Sequence, residues 1–316
     1  MDRQSKRLVA GVGAANVDVH GRSRAPIVMR DSNPGYLGTS VGGVTRNILE
    51  NLARQGVSAA LLAAVGGDVY GEKILRDSAL AGIDVSRVKR VPGGASSCYV
   101  AMLDECGDML LGMSDMRIID ELDAAYLDEN RDLLRSAAAV VCDACLRVSF
   151  LERLAEAAAD APLMIDPVST AYARRMKPVV GRFFAIKPNV MELSVLAGIP
   201  VETEADIERA SEALLARGTR CVAVSRGEKG CYYADADGAR IFCALRPVEE
   251  MANATGAGDA FMAGFVHGVV DRMPVKERLE YALASGITAI QSLSTINPEM
   301  SDALVLRNLA RYRISE

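Results

Sequence analysis

The chain has 316 residues, half of them hydrophobic, with a formal net charge of −5 and a pI of about 5.3. That length and apolar content support a substantial α/β core. The acidic balance and the absence of a long basic run argue against a nucleic-acid polymer as partner, and no apolar stretch is long and clean enough to span a bilayer. The polar start is followed only by the short run Leu8 to Val12, too short for a secretory h-region, so a cytoplasmic protein is expected. Seven cysteines are scattered, with Cys142 and Cys145 as a lone C-x-x-C that lacks a second pair, so they read as buried small hydrophobes rather than zinc ligands. The two histidines, His20 and His267, are isolated and do not support a histidine-based triad.

In chain order, Leu8 to Gly13 reads as a short strand, with Asn16-Val17-Asp18-Val19 alternating after it. Residues 20 to about 40 are rich in Gly, Pro, Ser and Asn and predict loop and short edge strands. Val44 to Gln55 has helical periodicity and stops at Gly56; Ala59 to Val65 is a buried strand, and Gly71 to Ala81 a helix. Ser97 to Leu103 and Met109 to Met113 form a hairpin around Glu105-Cys106-Gly107-Asp108.

The second half alternates more regularly. Strands are predicted at Ala138 to Cys142, Leu163 to Asp166, Phe183 to Ile186, Cys221 to Ser225 and Cys231 to Ala234. Helices are predicted at Phe150 to Ala159, Met191 to Ala197, Ile207 to Ala216, after Asp259, and at Val275 to Leu293. This predicts a mostly parallel sheet with helices on both faces. The polar segments near 20–40 and 95–115 do not fit and suggest a small separate β-layer.

Ligands of open α/β sheets bind beyond the carboxyl ends of strands, and the polar signatures gather there. Asn16 and Asp18, two apart on an extended chain, face one side and suit adjacent sugar hydroxyls, or else form an Asx-turn. Gly42-Gly43 before Arg46-Asn47 lets a ligand approach the backbone, or is an ordinary helix entry. Asn189 and Glu192 at i and i+3 suit Mg²⁺ held through waters, or a capping box. Ser225-Arg226-Gly227-Glu228-Lys229-Gly230 could lie along phosphates, or be a hairpin turn.

The most informative stretch is Asn253-Ala254-Thr255-Gly256-Ala257-Gly258-Asp259, a small-residue turn opening into the apolar run Ala260 to Val270. Such a turn leaves helix N–H groups free for a phosphate. A carboxylate there would repel phosphate, unless Asp259 removes a proton from a hydroxyl that attacks it. Dipole compensation is the plainer alternative. The pattern suggests phosphoryl transfer, with Gly256, Ala257 and Gly258 amides holding the oxyanion charge.

Together these residues resemble the ribokinase-like, or PfkB, family of carbohydrate and nucleoside kinases over nearly the whole chain. The resemblance implies a single Rossmann-like domain with a β-sheet lid from about residues 17–40 and 92–118. It implies ATP as donor, Asp259 as base, Gly256 to Gly258 as anion hole, and Asn189 with Glu192 organising Mg²⁺. Ser225, Gly227, Gly230 and Thr255 would meet the nucleotide, and adenine would lie near Ala282 to Thr288. Asn16, Asp18, Gly43 and Asn47 would hold the sugar. Many members also use a monovalent cation such as K⁺, and lid pairing across subunits in such kinases suggests a homodimer.

Within the family the chain looks most like the pseudouridine kinases, on Gly13-Ala14-Ala15-Asn16-Val17-Asp18, Asp31-Ser32-Asn33-Pro34-Gly35, Ser40 to Ile48, Ser114-Asp115-Met116 and Asp166-Pro167-Val168-Ser169. Ser32 and Asp115 would then read the base from the lid. Three positions depart from the pattern: Tyr172 in place of a lysine, Cys145 in place of the asparagine of Asp-x-Asn, and Asn253 where many relatives have aspartate. A ribokinase-like specificity, or a nucleoside sensor without turnover, are the rivals.

Overall fold

A computed structural model describes residues 7–248 and 251–314; the first six residues of the polar start lie outside the described residues. Nine strands form the central sheet. Their order is Arg240–Cys243, Cys231–Asp235, Cys221–Ser225, Ala185–Ile186, Leu163–Asp166, Ala139–Asp143, Val9–Val12, Ala59–Leu62 and Ile83–Asp84. From Cys221–Ser225 to Ile83–Asp84 every pairing is parallel, and only the two pairings at the other edge are antiparallel. Buried parallel strands need apolar residues on both faces, and Ala-Val-Val-Cys and Leu-Met-Ile supply them.

Alternation along these strands builds two cores. Ala10, Val12, Val140, Cys142 and Ile165 face helices Val148–Ala157, Thr170–Met176, Val190–Ala197 and Glu204–Leu215. Val9, Leu61, Val141 and Met164 face helices Val44–Arg54, Val69–Leu80, Ala257–Val270 and Val275–Ile290. Val9–Val12 has Ala59–Leu62 on one side and Ala139–Asp143 on the other, so the chain reverses direction across the sheet there. That reversal opens a crevice at the carboxyl end of Val9–Val12.

A second sheet holds Gly35–Gly42, Asn16–Ser23, Cys98–Leu103 and Met109–Asp115 in that order. Its hairpins fall in the two segments that broke the alternation. The row Leu37–Gly21–Met102–Leu111 crosses all four strands, and beside it runs Thr39–Val19–Val100–Met113. Leu37, Leu111 and Met113 are exposed, an apolar face left open.

Some elements differ from expectation. The run Ala59 to Val65 is two strands, because Ala64–Gly66 leaves the main sheet to pair with Lys89–Val91. The helix expected at Gly71 begins at Val69, capped by Asp68, whose side chain accepts from Gly71 N–H. The last long helix ends at Ile290 rather than Leu293. The terminal helix Asp302–Tyr312, capped by Ser301, and the edge strand Arg240–Cys243 were not expected.

Helix Ala257–Val270 is buried nearly all round and lies close against Val275–Ile290. Gly264 permits this: a Cβ there would sit 2.8 Å from Ala282 Cα and 2.5 Å from Ser285 Oγ. Gly264→Ala gains about 1 kcal/mol of helix propensity, but overpacking against a backbone atom costs about 1–3 kcal/mol. The expected result is a lower denaturation midpoint; a higher one would show that the two helices can separate freely.

Candidate active site

The small-residue turn becomes a helix three residues earlier than its apolar run suggests. Gly256 caps Ala257–Val270 in the left-handed region, at φ 84°, and a Cβ on it would strike Thr295 O at 2.0 Å. Asp259 therefore lies in the first turn, where Gly258 and Asp259 N–H groups have no helical acceptor. Asn253 shapes the approach with both ends of its amide. It accepts from Thr255 N–H (2.9 Å) and donates to Leu293 O (3.0 Å). An aspartate at this position could not make the second bond. Thr255 itself is exposed beside the turn.

Asn47 Nδ2 donates to Asp259 Oδ2 at 2.9 Å, joining residues 212 apart in sequence. Asn47 is buried on the first turns of Val44–Arg54, whose cap is Gly43 at φ 102°. A Cβ on Gly43 would meet Ala14 O at 2.4 Å, so the entry admits only glycine without movement. Asn16 Nδ2 donates to Asp18 Oδ1 (2.7 Å), and Gly42 leaves room for the Asp18 carboxylate. Burial raises the Asp18 carboxyl, against the Asn16 bond. Asn16 pairs with Gly42, so Asn16, Asp18, Gly43 and Asn47 gather at one helix entry, and the Asn47 bond joins Asp259 to them.

Beside it lies a buried charged group. Lys187 Nζ is 2.7 Å from Asp166 Oδ2 and donates to Gly258 O at 3.3 Å. At that distance the two form a buried, charge-assisted ion pair. Burial works against the Lys187 charge, but Asp166, with Asp259 and Glu192 behind it, holds its pKa above the usual value. Burial first, then Asp166, push the Asp259 carboxyl up to about 7, opposed by Asn47 and Lys187. Asp259 keeps a partly exposed edge, so a substrate can reach it.

Asn189 caps Val190–Ala197 in a complete capping box: its side chain accepts from Glu192 N–H and Glu192 Oε2 accepts from Asn189 N–H, both at 2.9 Å. The box occupies one Glu192 oxygen. Glu192 is buried, and burial raises its carboxyl. A carboxylate desolvated in this way, with Asp166 near it, fits a hydrated Mg²⁺ better than a closed cage. Among the described residues no cluster of three or more His, Cys, Asp or Glu forms such a cage.

Ser225 pairs with Asn189 across a parallel bridge, and its N–H donates to Pro188 O at 2.9 Å. Gly227 and Gly230 bracket a tight turn at φ 60° and 80°. Arg226 turns away to pair with Glu204 and stack on Phe242.

Two expected residues are not brought to this group. Ser32 sits in the exposed loop beyond the far end of the Asn16–Ser23 hairpin, roughly 25 Å along the strands from Asn16. Asn33 braces that loop, bonding Val28 N–H, Val28 O and Asp31 O. Asp18 shares a sheet face with Tyr99 and Ser114, whereas Asp115 is opposite Cys98 on the other face and pairs with Arg117 at 2.6 Å.

Asp143 and Lys187 were not among the expected site residues, and Asp166 was expected only as a polar strand end. The signal was present: three neighbouring strands, Ala139–Asp143, Leu163–Asp166 and Ala185–Ile186, end at or just before a charged residue. Tyr172 and Cys145, two of the departures, lie near each other at the carboxyl end of the sheet, and burial raises both groups. Arg175 stacks on Tyr172 and donates to the carbonyls of Ala144, Cys145 and Leu146.

With this geometry in view, the comparisons agree. The model of the pfkB family carbohydrate kinases matches residues 6–302. The chain is 34% identical over 304 residues to the pseudouridine kinase of Escherichia coli, covering 96% of each. The fold matches the ribokinase of Arabidopsis thaliana solved with ribose and ATP, at a TM-score of 0.86 and 23% identity, over 95% of this chain and 98% of that one. It also matches an E. coli protein assigned as a ribokinase II, solved with ATP and Mg²⁺, at a TM-score of 0.81 and 19% identity, over 96% and 99%. The chain belongs to the pfkB family of carbohydrate kinases, phosphotransferases acting on a hydroxyl of a sugar or nucleoside.

Proposed function

We propose that this kinase transfers the ATP γ-phosphate to the 5′-hydroxyl of pseudouridine. The observation that carries the chemistry is Asp259, held by Asn47 at a helix N-terminus with its carboxyl raised to about 7. A base poised there accepts a hydroxyl proton near neutral pH. The Ala257 N–H already donates to Ala254 O, so the free Gly258 and Asp259 N–H groups receive charge developing on the phosphoryl oxygens. Asn16 and Asp18 orient the sugar, and Lys187 offsets negative charge beside the turn. Ser225, Gly227, Gly230 and Thr255 border the nucleotide. Asn189 and Glu192 would hold Mg²⁺ through its waters, and the bound ion neutralises phosphate charge.

The pseudouridine assignment is supported by the 34% identity and by the motifs around Asp18 and Asn47. The second sheet acts as a lid over the sugar and keeps water from competing for the phosphoryl group. Ser32 joins the site only through movement of its loop; Ser114 is better placed than Asp115 to face a base.

Coupled ADP release from Mg²⁺-ATP tests this against pseudouridine, uridine, other nucleosides, ribose and fructose. Pseudouridine should turn over best, and Asp259→Asn should lose about 10²-fold or more in kcat while still binding nucleoside. Preference for ribose would remove the acceptor assignment. Near-normal turnover by Asp259→Asn would remove its role as base.

The open apolar face through Leu37, Met102, Leu111 and Met113 supports a homodimer that buries it. Light scattering should give twice the chain mass for the parent and a single-chain mass for Leu111→Lys. A parent running as a monomer at micromolar concentration would contradict this.

A further inference from the structure

We propose that Asp143 is a positioning residue for the phosphoryl-transfer site, clamping helix Val44–Arg54 so that Asn47 holds Asp259 in place. The inference rests on Asp259 being the base proposed above.

Asp143 is fully buried and closes strand Ala139–Asp143 at the edge of the crevice. Its Oδ2 accepts three bonds, from Ala14 N–H (2.8 Å), Thr45 N–H (3.2 Å) and Thr45 Oγ1 (2.6 Å). Its Oδ1 accepts a fourth from Cys145 N–H (3.0 Å). No Lys, Arg or His pairs with it among the described residues. A buried carboxylate with no cation is costly unless hydrogen bonds replace its water. Here four donors from three segments do so.

Those segments meet where the sheet reverses direction. Ala14 follows the central strand Val9–Val12, Cys145 follows the neighbouring strand, and Thr45 is at the start of the helix that carries Asn47. Gly43 caps that helix and has no side chain to meet the free N–H groups. Asp143 supplies the missing acceptor from another strand, and its negative charge suits the helix N-terminus. Gly13 is shaped around the clamp: a Cβ there would lie 2.3 Å from Thr45 Oγ1 and 2.5 Å from Asp143 Oδ2. If the clamp releases, the helix end is free to shift, and with it the Asn47–Asp259 bond.

Asp143 also acts through its field. Asp259 is faced by Asp166 and Lys187 from the neighbouring strand ends, by Asn47 from the helix and by Asp143, with Glu192 behind Lys187. Asp143 is in turn faced by Cys145 and Tyr172. Asp166 and Asp143 both favour the protonated form of Asp259. Removing the Asp143 charge therefore moves the acid limb of the rate profile to lower pH.

The test is the pH profile of kcat/KM for the parent, Asp143→Asn, Thr45→Val and their double variant, with Asp259→Asn alongside. Asp143→Asn keeps an oxygen toward Ala14 and Thr45 but loses the charge. It should lower kcat about tenfold and shift the acid limb to lower pH. Thr45→Val, close in shape, removes one donor; it should lower kcat with the limb unmoved and ATP KM unchanged. The double variant should fall short of the product of the single effects. A purely structural residue would change the melting temperature without moving the limb. Parent-like turnover and an unmoved limb in Asp143→Asn, with Asp259→Asn inactive, overturn this inference alone. If Asp143→Asn does not fold, parent-like kcat in Thr45→Val overturns it. An active Asp259→Asn overturns the base as well.

Discussion

The site depends on one largely desolvated carboxyl group at the positive end of a helix. Among the described residues Asp259 has one side-chain donor, Asn47, while Lys187 pairs with Asp166 and acts on Asp259 through its field, so its charge is only partly met. Burial and the neighbouring carboxylate then favour the protonated form. The consequence for folding has a definite sign. The folded chain holds this proton more tightly than the unfolded chain. The group therefore favours folding most below its ordinary 3.8, and that contribution is lost as pH rises through about 7. At neutral pH the group therefore contributes little of this stability to the fold.

The surrounding fold keeps this arrangement from relaxing. Helix Ala257–Val270 is locked by close approach to its neighbour at Gly264, and its first turn by Gly256 against Thr295. The partner helix is locked by Gly43 against Ala14 and by Asp143 at its end. Asn47 and Asp259 therefore meet between two fixed helices. In contrast, the second sheet carries an exposed apolar face and long exposed loops.

Much of this was legible in the sequence where the cause is local. The turn before Asp259 is a matter of small residues before an apolar run. The capping box of Asn189 and Glu192 is a spacing of three, and the strand–helix alternation predicts the parallel sheet. What escaped depends on distant pairing. Nothing near Asn47 announces a bond to a residue 212 positions away. The apolar run Ala59 to Val65 carries no period to show that the chain changes sheets at Ala63. Ser114 and Asp115 differ by one position, and only strand register decides which shares a face with Asp18. Asp143 looked like part of a departure from a motif, and its four bonds come from three separate segments.

The most direct measurement is the titration of the Asp259 carboxyl itself. It can be followed by ¹³C NMR in the parent, with the resonance assigned by its absence in Asp259→Asn. The account predicts a midpoint at about 7. A midpoint in the ordinary carboxylate range, about 4, would show that the group is solvated and fully ionised at neutral pH, and that burial does not set its protonation.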